Sequence, residues 1–354
     1  MNGLPGSRLL LFATLFAGLS LAGVAVVYFG VAERSISWDA RLLDADLLSG
    51  CAALLAIYFT ADGLRLYFTL RALGSRVPLR WMARLVFINL FFSNVTPLAT
   101  GGGVAQIWYL QRRGIPVGTA TAATTVRTLL AAGLIFLGTA TLPLILPIFD
   151  GTLVDGPLAS LLITFAAGYL GFFALAVKRT RWLLYPLDGG LALLERLRII
   201  TPQRHWRWGW WIRRELCHFR LGIGAYLHGH PLDIAMSLLC TAIFLLALFS
   251  FPALLLHGLG YEVAYGHILA LLVVTTFIMY ISPTPGSSGV AEGAFGHFLT
   301  GITHPEHLVL VTVGWRVLTI YVGMAIGAVL TMQEVWKLRG KVRGADETDG
   351  VTRR

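Results

Sequence analysis

Charge is what this sequence has least of. Only 13% of its 354 residues are Asp, Glu, Lys or Arg, while 56% are hydrophobic and the mean hydropathy is +0.73. Soluble domains carry about a quarter charged residues, so this composition excludes them and points to a polytopic helical membrane protein. Alternating strand patterning is absent too, and the long apolar runs exclude a membrane β-barrel. Cysteine is scarce: Cys51, Cys217 and Cys240 have no metal-type spacing and offer no disulfide framework. Among the histidines, His267, His297, His304 and His307 make no ligand set beyond the His304/His307 pair. Ser287 and Ser288 have no His or Asp nearby in sequence, so no nucleophilic constellation is found. The expectation is a protein without metal or cofactor that is not itself an enzyme.

The apolar runs come next. Arg8 and the run Leu9 to Val31 resemble a secretory leader, but at about 23 residues the run outlasts a leader's usual apolar core and reads as an uncleaved first span. Further spans are expected at about Leu48–Leu70, Val117–Ile148, Pro157–Val177, Pro231–Leu256 and His307–Trp336. The net charge of +10 is distributed by loop. Basic clusters at Arg71, Arg76, Arg80 and Arg84, at Lys178 to Arg220 and at Lys337 to Arg343 lie inside, which places both termini in the cytoplasm of an inner membrane. In the loop 178–230, Trp206, Trp208, Trp210 and Trp211 interleave with Arg204, Arg207, Arg213 and Arg214. Beside membrane spans this pattern reads as an interfacial helix on anionic headgroups rather than a nucleic-acid surface. The whole of 1–336 is expected to form one transmembrane domain, with 337–354 a basic, partly disordered tail.

Two segments are broken. The first, about 81–113, is interrupted at Asn94-Val95-Thr96-Pro97 and Gly101-Gly102-Gly103 before Gln106 and Tyr109. The second, about 266–302, is interrupted at Pro283-Thr284-Pro285-Gly286-Ser287-Ser288-Gly289 before Glu292. Each is too short on either side of its break to cross a bilayer, so both are expected as re-entrant helical hairpins. Loop charges have the first entering from inside and the second from outside. The pattern Pro97…Gly103-Val104-Ala105-Gln106 repeats as Pro283…Gly289-Val290-Ala291-Glu292, and each copy is followed by a lone arginine in the next span, Arg127 and Arg316. Six full spans and two hairpins related as inverted repeats are the predicted architecture, a design of transporters.

Broken helices present free N–H groups and a partial positive charge, which favour an anion. The candidate substrate-binding set is therefore Asn94, Gly101, Gly102, Gly103, Gln106, Tyr109, Arg127, Pro285, Gly286, Ser287, Ser288, Gly289, Glu292 and Arg316. Structural readings stand beside it. With Gly289 as N-cap, Glu292 falls at the third helical position, where a carboxylate caps orphan amides, and Gln106 stands likewise to Gly103. Asp62 and Arg65, three residues apart, read as a helix-local ion pair.

Asn94 to Pro97, the triple glycine, Gln106 with Tyr109, Arg127, the run Pro283 to Phe295 and Trp315-Arg316 together resemble the flippase-like transmembrane domain of lysylphosphatidylglycerol synthases. The resemblance covers nearly the whole chain and departs from the pattern at Ser287-Ser288. It implies movement of a phospholipid between leaflets. Since the apolar pattern ends at Trp336, the expectation is a stand-alone member without the soluble aminoacyl-transferring half. Expected partners are membrane lipids and a separately encoded lipid-modifying enzyme. Three functions remain in play: a flippase or scramblase for an anionic phospholipid or a polyprenyl-phosphate lipid, an enzyme on a lipid-linked substrate, and a membrane subunit or scaffold for such an enzyme.

Overall fold

The computed structural model describes residues 39–96, 99–145, 201–300 and 302–334, with isolated positions within 14–29, 160–171 and 192–196. The expected spans Leu9–Val31 and Pro157–Val177 lie outside the continuously described residues, as do Pro97, Leu98 and the tail. Among the described residues the chain is helical throughout. In order come α1 (Ala45–Ala72), α2 (Leu79–Val95), α3 (Thr100–Gln111), α4 (Val117–Ile145), α5 (Pro202–Leu227), α6 (Pro231–Gly258), α7 (Tyr265–Ile281), α8 (Val290–Leu299) and α9 (Pro305–Arg316). A π turn (Val317–Tyr321) carries α9 onward to Glu334.

Four of these helices are long and apolar enough to cross a membrane: α1, α4, α6 and the extended α9. At 28 residues, α1 reaches about 42 Å, more than a hydrocarbon core requires. Asp46 in the first turn of α1 and Arg71 in its last match the helix dipole. Pro231 and Pro305 open α6 and α9 at positions where a missing N–H costs nothing. The protein is thus an all-α polytopic membrane protein.

Two series of four helices correspond. Ala45 to Ala72 answers Pro231 to Gly258, and Leu79 to Val95 answers Tyr265 to Ile281, at one constant offset that also relates Gly103 to Gly289. The first members pack against each other antiparallel. Leu47 lies on Gly258 and Gly50 on Leu254 at one end, and Arg71 pairs with Asp233 at the other. Midway, Tyr58 stacks on Phe244, centroids 5.0 Å apart, and these two residues are counterparts at the same offset. The closing helices are exchanged in the same manner. Gly138 of α4 lies against Val273 of α7, and Gly327 of α9 against Phe87 of α2, with Val273 and Phe87 again counterparts.

The α5 helix begins at an N-cap where Thr201 Oγ1 accepts the Arg204 N–H. Trp206, Trp208 and Trp210 are exposed on it, with Arg214 over the Trp210 ring. Its later part packs on α4, where Gly222 meets Ala122.

Candidate functional site

The second break is built on three residues with left-handed backbone. Gly286 (φ 57°), Ser287 (φ 53°) and Gly289 (φ 85°) turn the chain between α7 and α8. Two of them are glycines, for which this conformation is cheap, whereas Ser287 carries strain of about 1–2 kcal/mol. What holds Ser287 there is its hydroxyl, which donates to the Met279 carbonyl at 2.8 Å. Thr284 Oγ1 donates to the Ser288 carbonyl and further tightens the turn. Gly289 is the N-cap of α8, and its N–H donates to Glu292 Oε2 at 2.7 Å, the capping geometry its spacing predicted.

Arg316 closes this region. Its Nε donates to Glu292 Oε1 at 2.7 Å and its Nη2 to the Gly286 carbonyl at 2.9 Å. Glu292 is 0% and Arg316 1% exposed. Trp315 beside it stacks on Phe295 of α8 at 4.4 Å. Arg316 Nη1 has no hydrogen-bond partner among the described residues.

The first break uses neutral groups instead. Ala99 (φ 53°) turns the chain, and Thr96 Oγ1 accepts the Gly101 N–H at 2.8 Å while donating to Phe92 O. Helix α3 therefore starts at Thr100, and Gly103 lies inside it rather than at its cap. The expected likeness of Gln106 to Glu292 as a third-position cap is thereby corrected: Thr96 supplies the early acceptor that starts the helix sooner. Gly101 and Gly102 let α3 close on α2; a Cβ on Gly102 would fall 1.8 Å from Ser93 Oγ and 2.6 Å from Asn89 Oδ1. Gly103 faces open space, Gln106 is buried, and Asn94 Nδ2 donates within its own helix to Leu90 O.

Arg127 does not join this break as Arg316 joins the other. Its Nη2 donates to Asp62 Oδ1 at 2.5 Å, and Arg65 Nε donates to the same oxygen at 2.7 Å. The Asp62–Arg65 pair expected from spacing exists, but it is a cluster of three spanning α1 and α4. All three are buried: Asp62 2%, Arg65 6%, Arg127 6%. The Arg65 guanidinium lies 3.7 Å over Phe244, one half of the central stacked pair. Nothing in the sequence pattern joined Arg127 to Asp62, since their separation of 65 residues carries no periodicity. The only available signal was that both are charges inside apolar runs.

The remaining candidates are dispersed. Tyr109 is buried beneath the Arg113 guanidinium at 3.5 Å, and Arg113 shares Glu334 with Arg84 at 3.3 Å each, so Tyr109 belongs to a clasp joining α2, α3 and α9. Pro285 and Ser288 are buried in the second break, which packs against α2 of the first helix series. A cavity of about 310 Å³ at the far end of α6, lined by His257, Tyr261 and Glu262, contains no member of either ion cluster. Nearby, Tyr261 binds His307 Nδ1 at 2.8 Å, and His307 lies 3.6 Å from Asp39. Among the described residues, no group of three His, Cys, Asp or Glu is placed to hold a metal.

Long apolar helices, paired broken ones and buried ion clusters define a multi-pass membrane protein with charge buried inside it. The chain belongs to the family described as the lysylphosphatidylglycerol synthase TM region, which it matches over residues 8–327. It is also similar to a UPF0104 membrane protein of Archaeoglobus fulgidus, 25% identical over 315 residues, covering 88% of this chain and 93% of that one.

Proposed function

We propose that this protein is a lipid transporter, a flippase or scramblase that moves an anionic or phosphate-bearing lipid between the leaflets of a cytoplasmic membrane. The observation that carries this reading is the antiparallel exchange of two corresponding helix series, each interrupted between its second and third helices and each bringing a buried arginine with its fourth. Inverted repeats with broken helices place substrate at their mutual interface. In this reading α2–α3 and α7–α8 are re-entrant hairpins entering from opposite faces, both termini are cytoplasmic, and α5 lies on the cytoplasmic leaflet with its tryptophans at headgroup depth. The lipid is a phospholipid or a polyprenyl-phosphate carrier.

Catalysis by Glu292 as acid or base fits poorly, because both its oxygens are engaged, one by Arg316 and one by Gly289. A second reading rests on the family's description as part of a synthase: a membrane subunit serving a separately encoded lipid-modifying enzyme.

Reconstitution decides between them. Liposomes containing the protein and a fluorescent anionic lipid are expected to exchange leaflets faster than empty ones, and Glu292→Gln, Arg127→Ala and Arg316→Ala to slow that exchange. No exchange above empty liposomes across several headgroups overturns transport; equal exchange by all variants overturns the site. Single cysteines replacing Arg113 and His304 are expected to label from opposite sides, and same-side labelling removes the inverted arrangement.

A further inference from the structure

The central cluster holds two guanidiniums and one carboxylate, and the surplus positive charge has no counterpart among the described residues. Asp62 Oδ1 takes a hydrogen bond from each arginine, while Arg65 Nη1 and Arg127 Nε, both buried, have no partner among the described residues. The other deep arginine, Arg316, is already matched one to one by Glu292. Nor do the two apolar runs outside the described residues supply the missing charge: no Asp or Glu occurs in 9–31 or in 157–177. An uncompensated guanidinium at membrane depth is expensive, and such groups mark substrate paths. The cluster is also central in the fold, against Phe244 of the stacked pair that relates the two helix series.

We infer that Arg65 and Arg127, set against Asp62, form a binding subsite for one negative charge, and that its occupant is the phosphodiester of a lipid headgroup that carries no cation of its own. This rests on the transport reading and sharpens it. The N–H groups left on Arg65 Nη1 and Arg127 Nε suit an oxyanion, and guanidiniums bind phosphate with directed hydrogen bonds. Asp62 sets the charge limit. It leaves a surplus of one, which a phosphodiester neutralises and a doubly charged phosphomonoester overshoots. Asp62 thereby acts as a selectivity residue by repelling the second charge.

The test uses the purified full chain, delipidated in nonionic detergent at pH 8, titrated with dioctanoyl phosphatidylglycerol, phosphatidic acid and phosphatidylcholine, binding being read by calorimetry. Wild type is expected to bind phosphatidylglycerol at least tenfold more tightly than either other lipid. Asp62→Asn, which raises the surplus to two, is expected to shift the ratio of phosphatidic acid to phosphatidylglycerol affinity at least tenfold toward phosphatidic acid. Arg65→Gln is expected to abolish the preference for phosphatidylglycerol over phosphatidylcholine, and Arg65→Lys to keep it. Equal binding of the three lipids by wild type, or an Asp62→Asn ratio equal to the wild-type one, overturns the subsite. Should Asp62→Asn fail to elute as a folded species, the Arg65 pair decides: loss of preference in Gln and retention in Lys supports the subsite, and equal behaviour overturns it. Dimethyl phosphate is expected to compete only at concentrations at least a hundredfold higher than the lipid. Equal potency would keep the site and overturn a lipid as its occupant. Because binding is read without transport, leaflet exchange can fail while this charge preference holds, and the reverse.

Discussion

The two breaks solve one backbone problem with different chemistry. Each must turn the chain sharply and satisfy the orphan N–H groups of a short helix inside the packed protein. At the first, Thr96 serves the Gly101 N–H, and glycines press α3 onto α2, so the cap is closed within its own hairpin. At the second, Glu292 serves the Gly289 N–H and is itself held by Arg316 from α9. A neutral cap is self-contained, whereas a charged one in the interior must recruit its counter-ion from elsewhere. The second hairpin is therefore tied to its following helix by a charge, and the first is not. Arg127, freed from that duty, is available to the Asp62 cluster.

The sharpest way to break this contrast is Arg316→Ala, which strands the Glu292 carboxylate and the Gly286 carbonyl. A loss of about 3–5 kcal/mol is expected, read as a large fall in thermal unfolding temperature in detergent. Glu292→Leu combined with Arg316→Met should recover most of it; no recovery would mean that the pair does more than compensate itself. Next in size is Gly102→Ala, expected to cost about 1–3 kcal/mol because its methyl collides with Ser93 and Asn89. Gly103→Ala, with open space around it, is expected to be neutral or to stabilise by up to about 1 kcal/mol. Equal effects at the two glycines would refute close packing of α3 on α2. Thr96→Val follows, at about 1 kcal/mol, through loss of the acceptor for Gly101.

The smallest effect lies outside the membrane. Arg41 hydrogen bonds hold the Asp39 carboxyl down to about 2, below its ordinary value of 3.8. A depressed folded-state value stabilises above the unfolded one and loses that contribution as pH falls from about 4 to about 2. Asp39→Asn should flatten the decline of unfolding temperature in that window, and an unchanged slope would show the pair to be inert.

The parts of this fold legible in sequence were those with local causes. Apolar length marked α1, α4, α6 and α9, and Pro and Gly marked both breaks, because span and turn chemistry act over a few residues. The Glu292 cap was readable because Gly289 and Glu292 stand at capping spacing. The Thr96 cap was not, since it depends on Ala99 taking a left-handed conformation that alanine rarely adopts. Nor was the Asp62–Arg127 contact, which exists only once α1 and α4 pack side by side.

The π turn just past Arg316 sets the angular phase of everything after it. Val322 N–H reaches back to the Val317 carbonyl, which accommodates one residue more than a regular turn. Each residue of an α-helix advances about 100°. Removing one residue between Val317 and Tyr321 would close the turn to a regular one and leave Glu334 near its present phase, whereas removing one from the regular helix beyond Val322 would swing Glu334 about a quarter-turn away from Arg84 and Arg113. The buried arginine and the clasp at the helix end are thus mechanically geared, like two cams on one shaft, and the widened turn fixes their relative timing.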